Sequence, residues 1–150
     1  MMAVLALTAA ALTAQAVPEA LVDAVEAVES SRRGASTPSG DGGAAIGPFQ
    51  FHRQSWADCS AIRKKAGLRV WPYSSAADPV RSREYARTWL TVLRIRLSKD
   101  IGRTPFPGEV WLAYNLGYEG FKEYRFQWAL VPLRRFEKAR KGNALTYGKL

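Results

Sequence analysis

The longest apolar stripe in the chain does most to limit its fold. Between Asp78 and about Lys99, the residues Tyr85, Trp89, Leu90, Leu93 and Leu97 recur at helical spacing and share one face. Asp78-Pro79 is a helix start, a capping side chain followed by Pro at the first helical position. The spacing predicts a helix over 79–99, and we expect it to be the central one. Its other face carries Arg81, Arg83, Arg87, Arg94 and Arg96, which reads most simply as a solvated face. A chain of 150 residues is one domain by length, long enough for a real core.

Other elements follow from the same kind of pattern. Leu21, Val22, Val25 and Val28 mark an amphipathic helix that starts near Pro18. Residues 31–48 are rich in Ser, Gly, Thr and Pro and form a long loop, with a small hairpin expected near 35–46 at Gly40-Asp41-Gly42. Trp56, Cys59 and Ile62 repeat every three residues in a helix over about 52–66, closed by Gly67. Residues 67–78 are a loop, 105–107 a turn, and 109–116 a short helix ended by Gly117. From Tyr118 onward the chain is basic and aromatic, with one or two helices broken at Pro132. The fold class is therefore mainly α, with a small hairpin and loop region.

The opening residues 1–16 are apolar and end in Ala14-Gln15-Ala16, a small-x-small site before Val17. They read as a signal peptide without basic residues in front, which predicts export and a mature domain over 17–150. A buried first helix or an N-terminal anchor are the alternatives. No later run is apolar enough to span a membrane. Cys59 is the only cysteine, so no internal disulfide is available and packing must supply the stability. It reads as a small core residue on the helix that carries Trp56.

The net charge is +9. Residues 17–59 hold six acids and three bases, 60–103 eleven bases and three acids, and 122–149 eight and two. A basic body around a mildly acidic segment suggests a polyanionic partner. Nucleic acid, an anionic cell wall and a membrane surface all qualify on charge alone.

Three stretches are candidates for chemistry. Glu29 falls in the last turn of its helix, beside the apolar Val28 and before the polar exit Ser30-Ser31. Exposed carbonyls at a helix end and partial burial both disfavour a negative charge, so its pKa is expected to rise, as a general acid requires. Glu26, one turn earlier, has nothing else to recommend it. Gly47-Pro48-Phe49-Gln50-Phe51 sets an amide between aromatics, where Gln50 can both donate and accept; it is equally a plain turn. Trp111-Leu112-Ala113-Tyr114-Asn115-Leu116-Gly117 places a phenol and an amide at a helix end; it is equally a buried Tyr followed by a capping Asn.

Taken in order, Glu29-Ser30, then Ala45-Ile46-Gly47-Pro48-Phe49-Gln50, then Ala113-Tyr114-Asn115-Leu116-Gly117 resembles the signature of the soluble lytic transglycosylase domains of the lysozyme superfamily. Glu29 and Gln50 are 21 positions apart, and Gln50 and Tyr114 are 64 apart, close to that family's spacings. The similarity covers about residues 19–121. The stretch from Gly47 to Phe51, with Trp56-Ala57-Asp58-Cys59 after it, also resembles the invertebrate-type lysozymes. Those enzymes carry an Asp twelve positions after the Glu, where this chain has Asp41. They are rich in disulfides and this chain is not; as a turn residue, Asp41 is explained by its neighbouring glycines.

The resemblance implies an α+β, lysozyme-like fold and cleavage of the β-1,4 bond between N-acetylmuramic acid and N-acetylglucosamine in peptidoglycan. Glu29 would act as general acid and base, and Asp41 as the second carboxylate if the reaction is hydrolysis. Ser30, Gln50, Tyr114 and Asn115 would bind substrate, with Tyr114 orienting Glu29 through its hydroxyl. Trp71, Tyr73 and Tyr118 are candidates for stacking on sugars. The resemblance implies no cofactor and no metal; His52 stands alone as a surface or helix-start residue. The implied partners are peptidoglycan glycan strands and anionic cell-wall polymers, not nucleic acid, with no stable membrane insertion once the leader is gone. The implied location is the periplasm, cell envelope or outside. A catalytically silent envelope module and a basic nucleic-acid-binding helical protein are the competing readings.

Overall fold

The computed structural model describes residues 7–31 and 33–148. The fold is mainly helical with one two-stranded antiparallel sheet, as the patterning predicts. The helices among the described residues are α1 (Ala9–Ala14), α2 (Glu19–Ser30), α3 (Arg53–Lys65), α4 (Pro79–Ile101), α5 (Pro107–Leu116), α6 (Tyr118–Glu123) and α7 (Leu133–Tyr147). The strands β1 (Ala45–Ile46) and β2 (Phe51–His52) lie between α2 and α3.

α4 is central, and its ends follow the expected chemistry. The Asp78 carboxylate accepts from the Arg81 backbone N–H at 2.8 Å, Pro79 opens the first turn, and Gly102 closes the helix with φ +72°. Tyr85, Ala86, Leu90, Leu93 and Leu97 are fully buried along it. α1, α2, α3, α5 and a 3-10 turn at Tyr73–Ala77 all pack on it. Tyr85 stacks on Trp56 of α3 with centroids 3.7 Å apart and planes 10° from parallel, and Phe51 of β2 meets both rings edge-on. Each such pair adds about 0.5–1.5 kcal/mol beyond its buried area. Cys59 is buried in the same core, and burial pushes its thiol pKa well up, so it serves as packing.

Four of the five arginines on this face of α4 are engaged by the chain itself, while Arg81 is exposed as expected. Arg83 pairs with Glu19, Asp23 and Glu26 of α2, Arg87 pairs with Glu19, and Arg96 pairs with Glu119 while lying over the Tyr118 ring. Arg94 donates to the Gln15 carbonyl. The cause is helical period: residues 19, 23 and 26 share one face of α2, and that face meets α4. Glu26 thus has a partner after all.

The described part of the apolar opening forms α1, capped by the Thr8 hydroxyl. Leu7 and Leu12 are buried against Val92, with Ile62, Trp89 and Ile95 around them. This is the arrangement of a packed first helix; residues 1–6 lie outside the described residues.

The expected turn at Gly40-Asp41-Gly42 is closed by one antiparallel bridge, and a second paired turn follows it. Gly40 bridges to Ala45, Asp41–Gly43 is a 3-10 turn, and the paired strands are joined by Gly47-Pro48-Phe49-Gln50. Phe49 and Phe51 are fully buried. Residues 40–43 have no apolar side chain to extend the first bridge, whereas the later turn is anchored by its buried Phe residues. Gly47 is required twice over: its φ is +77°, and a Cβ there would lie 1.7 Å from the Ala76 carbonyl oxygen.

α7 makes the most extensive helix contacts, against α2 and α5. A small residue permits the second contact: Gly108 of α5 meets the Ala139 carbonyl so closely that a Cβ would lie 2.7 Å away. α7 thereby becomes a wall beside the end of α2.

Gly47→Ala is expected to cost roughly 2–4 kcal/mol in urea unfolding, from strain and the backbone clash together. Gly43→Ala is the comparison: φ there is +96°, but nothing lies within 4 Å of the added Cβ. It should cost only about 1 kcal/mol.

Candidate active site

α2 ends in a residue of left-handed conformation, Ser31 at φ +54°, and Glu29 stands in the last turn before it. The neighbouring helix α5 presents Trp111 and Asn115 one turn apart on one face. Both donate to the same carboxyl oxygen: Trp111 Nε1 lies 2.8 Å and Asn115 Nδ2 3.3 Å from Glu29 Oε1. The Asn115 amide is oriented by its other end, because the Arg135 guanidinium, a donor only, bonds to Oδ1. Glu29 Oε2 has no hydrogen-bond partner among the described residues. With Oε1 occupied as an acceptor, Oε2 is the oxygen free to carry a proton.

Burial raises the Glu29 pKa above the ordinary carboxyl value. The bonds from Trp111 and Asn115 and the charge of Lys138 pull it down, and the charge of Asp41 pushes it up again. Burial prevails.

Glu29 lines a cleft of about 420 Å³ together with Asp41, Gln50, Tyr114 and Asn115. Five of the six residues singled out as site candidates therefore share one cavity. Ser30 does not: it is buried, and its Oγ donates to the Glu26 carbonyl within α2. One residue along a helix is a rotation of about 100°, which turns Ser30 away from the face that bears Glu29.

The expected part for Tyr114 is also corrected. Its hydroxyl donates to the Phe49 carbonyl at 2.6 Å, and its ring meets Phe51 edge-on. Tyr114 holds the 47–50 turn against α5; Trp111 and Asn115 hold Glu29. Burial, then the nearby Glu29, raises the phenol pKa well above its usual value. Gln50, at φ +50°, donates from Nε2 to the carbonyls of Gly47 (2.9 Å) and Pro38 (3.2 Å). Its amide pins the loop wall of the cleft. A Cβ on Gly40 would meet Gln50 Oε1, so a larger residue there would displace the end of that side chain.

Asp41 and His52 face each other at the rim, with Oδ2 and Nε2 2.9 Å apart, and both are exposed. His52 is the N-cap residue of α3, a helix-start position. Trp71, Tyr73 and Tyr118 are not among the residues lining the cleft. Trp71 lies beneath the guanidinium groups of Arg63, Arg69 and Arg81, the Tyr73 hydroxyl bonds to the carbonyls of Ala44 and Phe51, and Tyr118 is buried.

Sequence patterning missed Trp111, although it lies four residues before Asn115 and its spacing was a usable signal. It also missed Ser55 and the opposite wall, Arg134, Arg135 and Lys138 on α7. Those three share a helical face, but only the docking of α7 turns that face toward Glu29. Among the described residues, no group of three or more His, Cys, Asp or Glu side chains is placed to hold a metal ion, and no helix is long and apolar enough to cross a membrane.

A carboxyl-carbon NMR titration should find Glu29 above the normal range. Lys138→Gln removes a charge that lowers its pKa and should move it further up; Asp41→Asn removes one that raises it and should move it down. Comparison of the chain with protein-family models, with curated proteins and with solved structures gives no match.

Proposed function

We propose that the chain is a peptidoglycan-cleaving glycosidase of the lytic transglycosylase or lysozyme type, acting on the β-1,4 bond between N-acetylmuramic acid and N-acetylglucosamine, with Glu29 as general acid and base. The observation that carries this is the Glu29 carboxyl in the cleft: one oxygen is held by two N–H donors, the other is left for a proton, and burial favours the protonated form. The motif resemblance supplies the substrate. The exported location and the attraction to anionic cell-wall polymers belong to the same proposal.

In this mechanism Glu29 Oε2 gives its proton to the departing glycosidic oxygen as positive charge develops on the sugar ring. Trp111 and Asn115 keep the carboxyl from swinging away and stabilise the carboxylate left behind. The same carboxylate then removes a proton, either from the muramyl 6-hydroxyl, closing an anhydro ring, or from water. Asp41, which lines the same cleft and pairs with His52, serves the hydrolytic ending. Gln50 supports the loop wall on which Asp41 stands. The nucleic-acid reading rested on the arginine row of α4 and the basic tail. Arg83, Arg87 and Arg96 of that row are engaged by carboxylates of the chain itself.

Glu29→Gln should lower the rate of wall lysis by about 10²–10⁴-fold with an unchanged circular dichroism spectrum. Lysis by that variant at the wild-type rate would sink the mechanism, and no lysis by either protein favours the catalytically silent module. Mass spectrometry of released muropeptides separates anhydro from reducing ends.

The raised pKa also sets a stability signature. The folded protein binds the Glu29 proton more tightly than the unfolded chain, so that stabilisation is present below the unfolded pKa of about 4.3 and is lost as pH rises through the folded value. Glu29→Gln, which cannot ionise, should gain unfolding free energy relative to wild type as pH increases through that window. A difference independent of pH would contradict the assignment.

A further inference from the structure

Once internal ion pairs are set aside, the positive charge of the chain is unevenly distributed. Arg83, Arg87 and Arg96 of α4, Arg63 of α3 and Arg103 all meet carboxylates of the chain itself. On α7 the cations line a cleft instead. Arg134 and Lys138 form no ion pair within the described residues, although the Lys138 charge acts on Glu29, and Arg135 bonds to the neutral Asn115 amide. These three cations line the same cleft as Glu29.

The rest of the lining sharpens the point. Only Glu29 and Asp41 among the lining residues carry carboxylates, and Asp41 already faces His52. Tyr114 is the only aromatic ring besides His52 on the wall, and its hydroxyl is engaged by Phe49. A cleft for a neutral sugar polymer is ordinarily built from stacking rings and neutral hydrogen-bonding groups. This one has few rings and a row of like charges. Keeping like charges side by side is unfavourable unless an anion joins them.

We propose that Arg134 and Lys138 bind the carboxylates borne by a strand lying in the cleft, so that the site selects carboxylate-bearing glycans over neutral ones of the same backbone. The proposal rests on the peptidoglycan reading for the identity of that backbone. Two sources of carboxylate exist on such a strand, the lactyl group of the muramyl sugar and the stem peptide. Arg134 offers a planar fork that can grip a carboxylate through two bonds, and Lys138 a compact charge beside Glu29. Arg135 is a positioning residue: it orients Asn115 toward Glu29.

The test measures binding of the full chain, in a Glu29→Gln background that does not degrade the wall, to four insoluble substrates. These are intact cell-wall sacculi, sacculi whose carboxylates have been converted to methylamides, sacculi stripped of stem peptides by an amidase, and chitin. Intact walls should bind about tenfold more tightly than methylamidated walls or chitin, the effect of one good charge-assisted contact. Adding Arg134→Gln and Lys138→Gln should remove most of that preference. Lys138→Arg should retain it. Lys64→Gln with Lys65→Gln removes the same charge from the exposed end of α3 and should also retain it.

Stripped walls identify the source: retained preference assigns the lactyl carboxylate, and lost preference assigns the stem peptide. Equal binding to charged and neutral walls overturns the proposal, as does an equal loss in the α3 double variant. If the wild-type protein lyses no wall but the preference and its loss at α7 are both seen, the catalytic reading fails and the carboxylate wall stands.

Discussion

Tyr85 is the constraint on which the rest of the structure depends. Its ring stacks on Trp56 of α3 and takes the edge of Phe51 from β2, while its hydroxyl meets Ser60 and the Trp71 backbone N–H. One fully buried side chain on the central helix thus positions α3, the sheet and the 67–78 loop at once. The ion cluster around Arg83 does the same for α2 on another face of α4. Both sides of the cleft, the end of α2 and the 40–52 loop, are therefore referenced to one rigid helix. Buried aromatic contacts tolerate little displacement, and that is what gives an acid on one element and a loop on another a defined separation.

The cleft itself is a set of opposed electrostatic demands. Burial favours a neutral Glu29, whereas its two N–H donors and Lys138 favour the anion. A group used alternately as acid and base requires such a balance, because neither protonation state can be made inaccessible. The arrangement costs stability at neutral pH, a trade commonly met where function needs a strained or desolvated group. Gln50 and Asp41 take positive φ values on the loop side, a second local cost borne by surrounding contacts.

Much of this was legible from residues alone, and the exceptions have physical causes. The start of the central helix followed from local rules: Asp78-Pro79 and the apolar stripe of α4 need only their neighbours to be understood. The Glu29 environment was legible in outline, since a carboxylate at a helix end beside buried residues is a local fact. The arginine face was misread because helical period says which residues share a face, not what the face meets. Tyr114 was assigned to Glu29 on adjacency in the motif. The structure spends its hydroxyl on Phe49, and Trp111, one helical turn before Asn115, takes its place at the acid.

By itself, the amino-acid sequence determined the helical class, the cap and apolar stripe of the central helix and the order in which an acid, an amide and a phenol occur. Those properties depend on interactions within a few residues or on transfer from water, and both are encoded locally. Only the tertiary structure decided that Ser30 turns inward, that a second paired turn forms at 45–52 beyond the Gly-Asp-Gly turn, and that α7 brings its cations to the cleft. Each of these depends on which surfaces pack together, and packing is a property of the whole chain: Gly108 allows α7 to approach, but only the assembled core determines what it approaches.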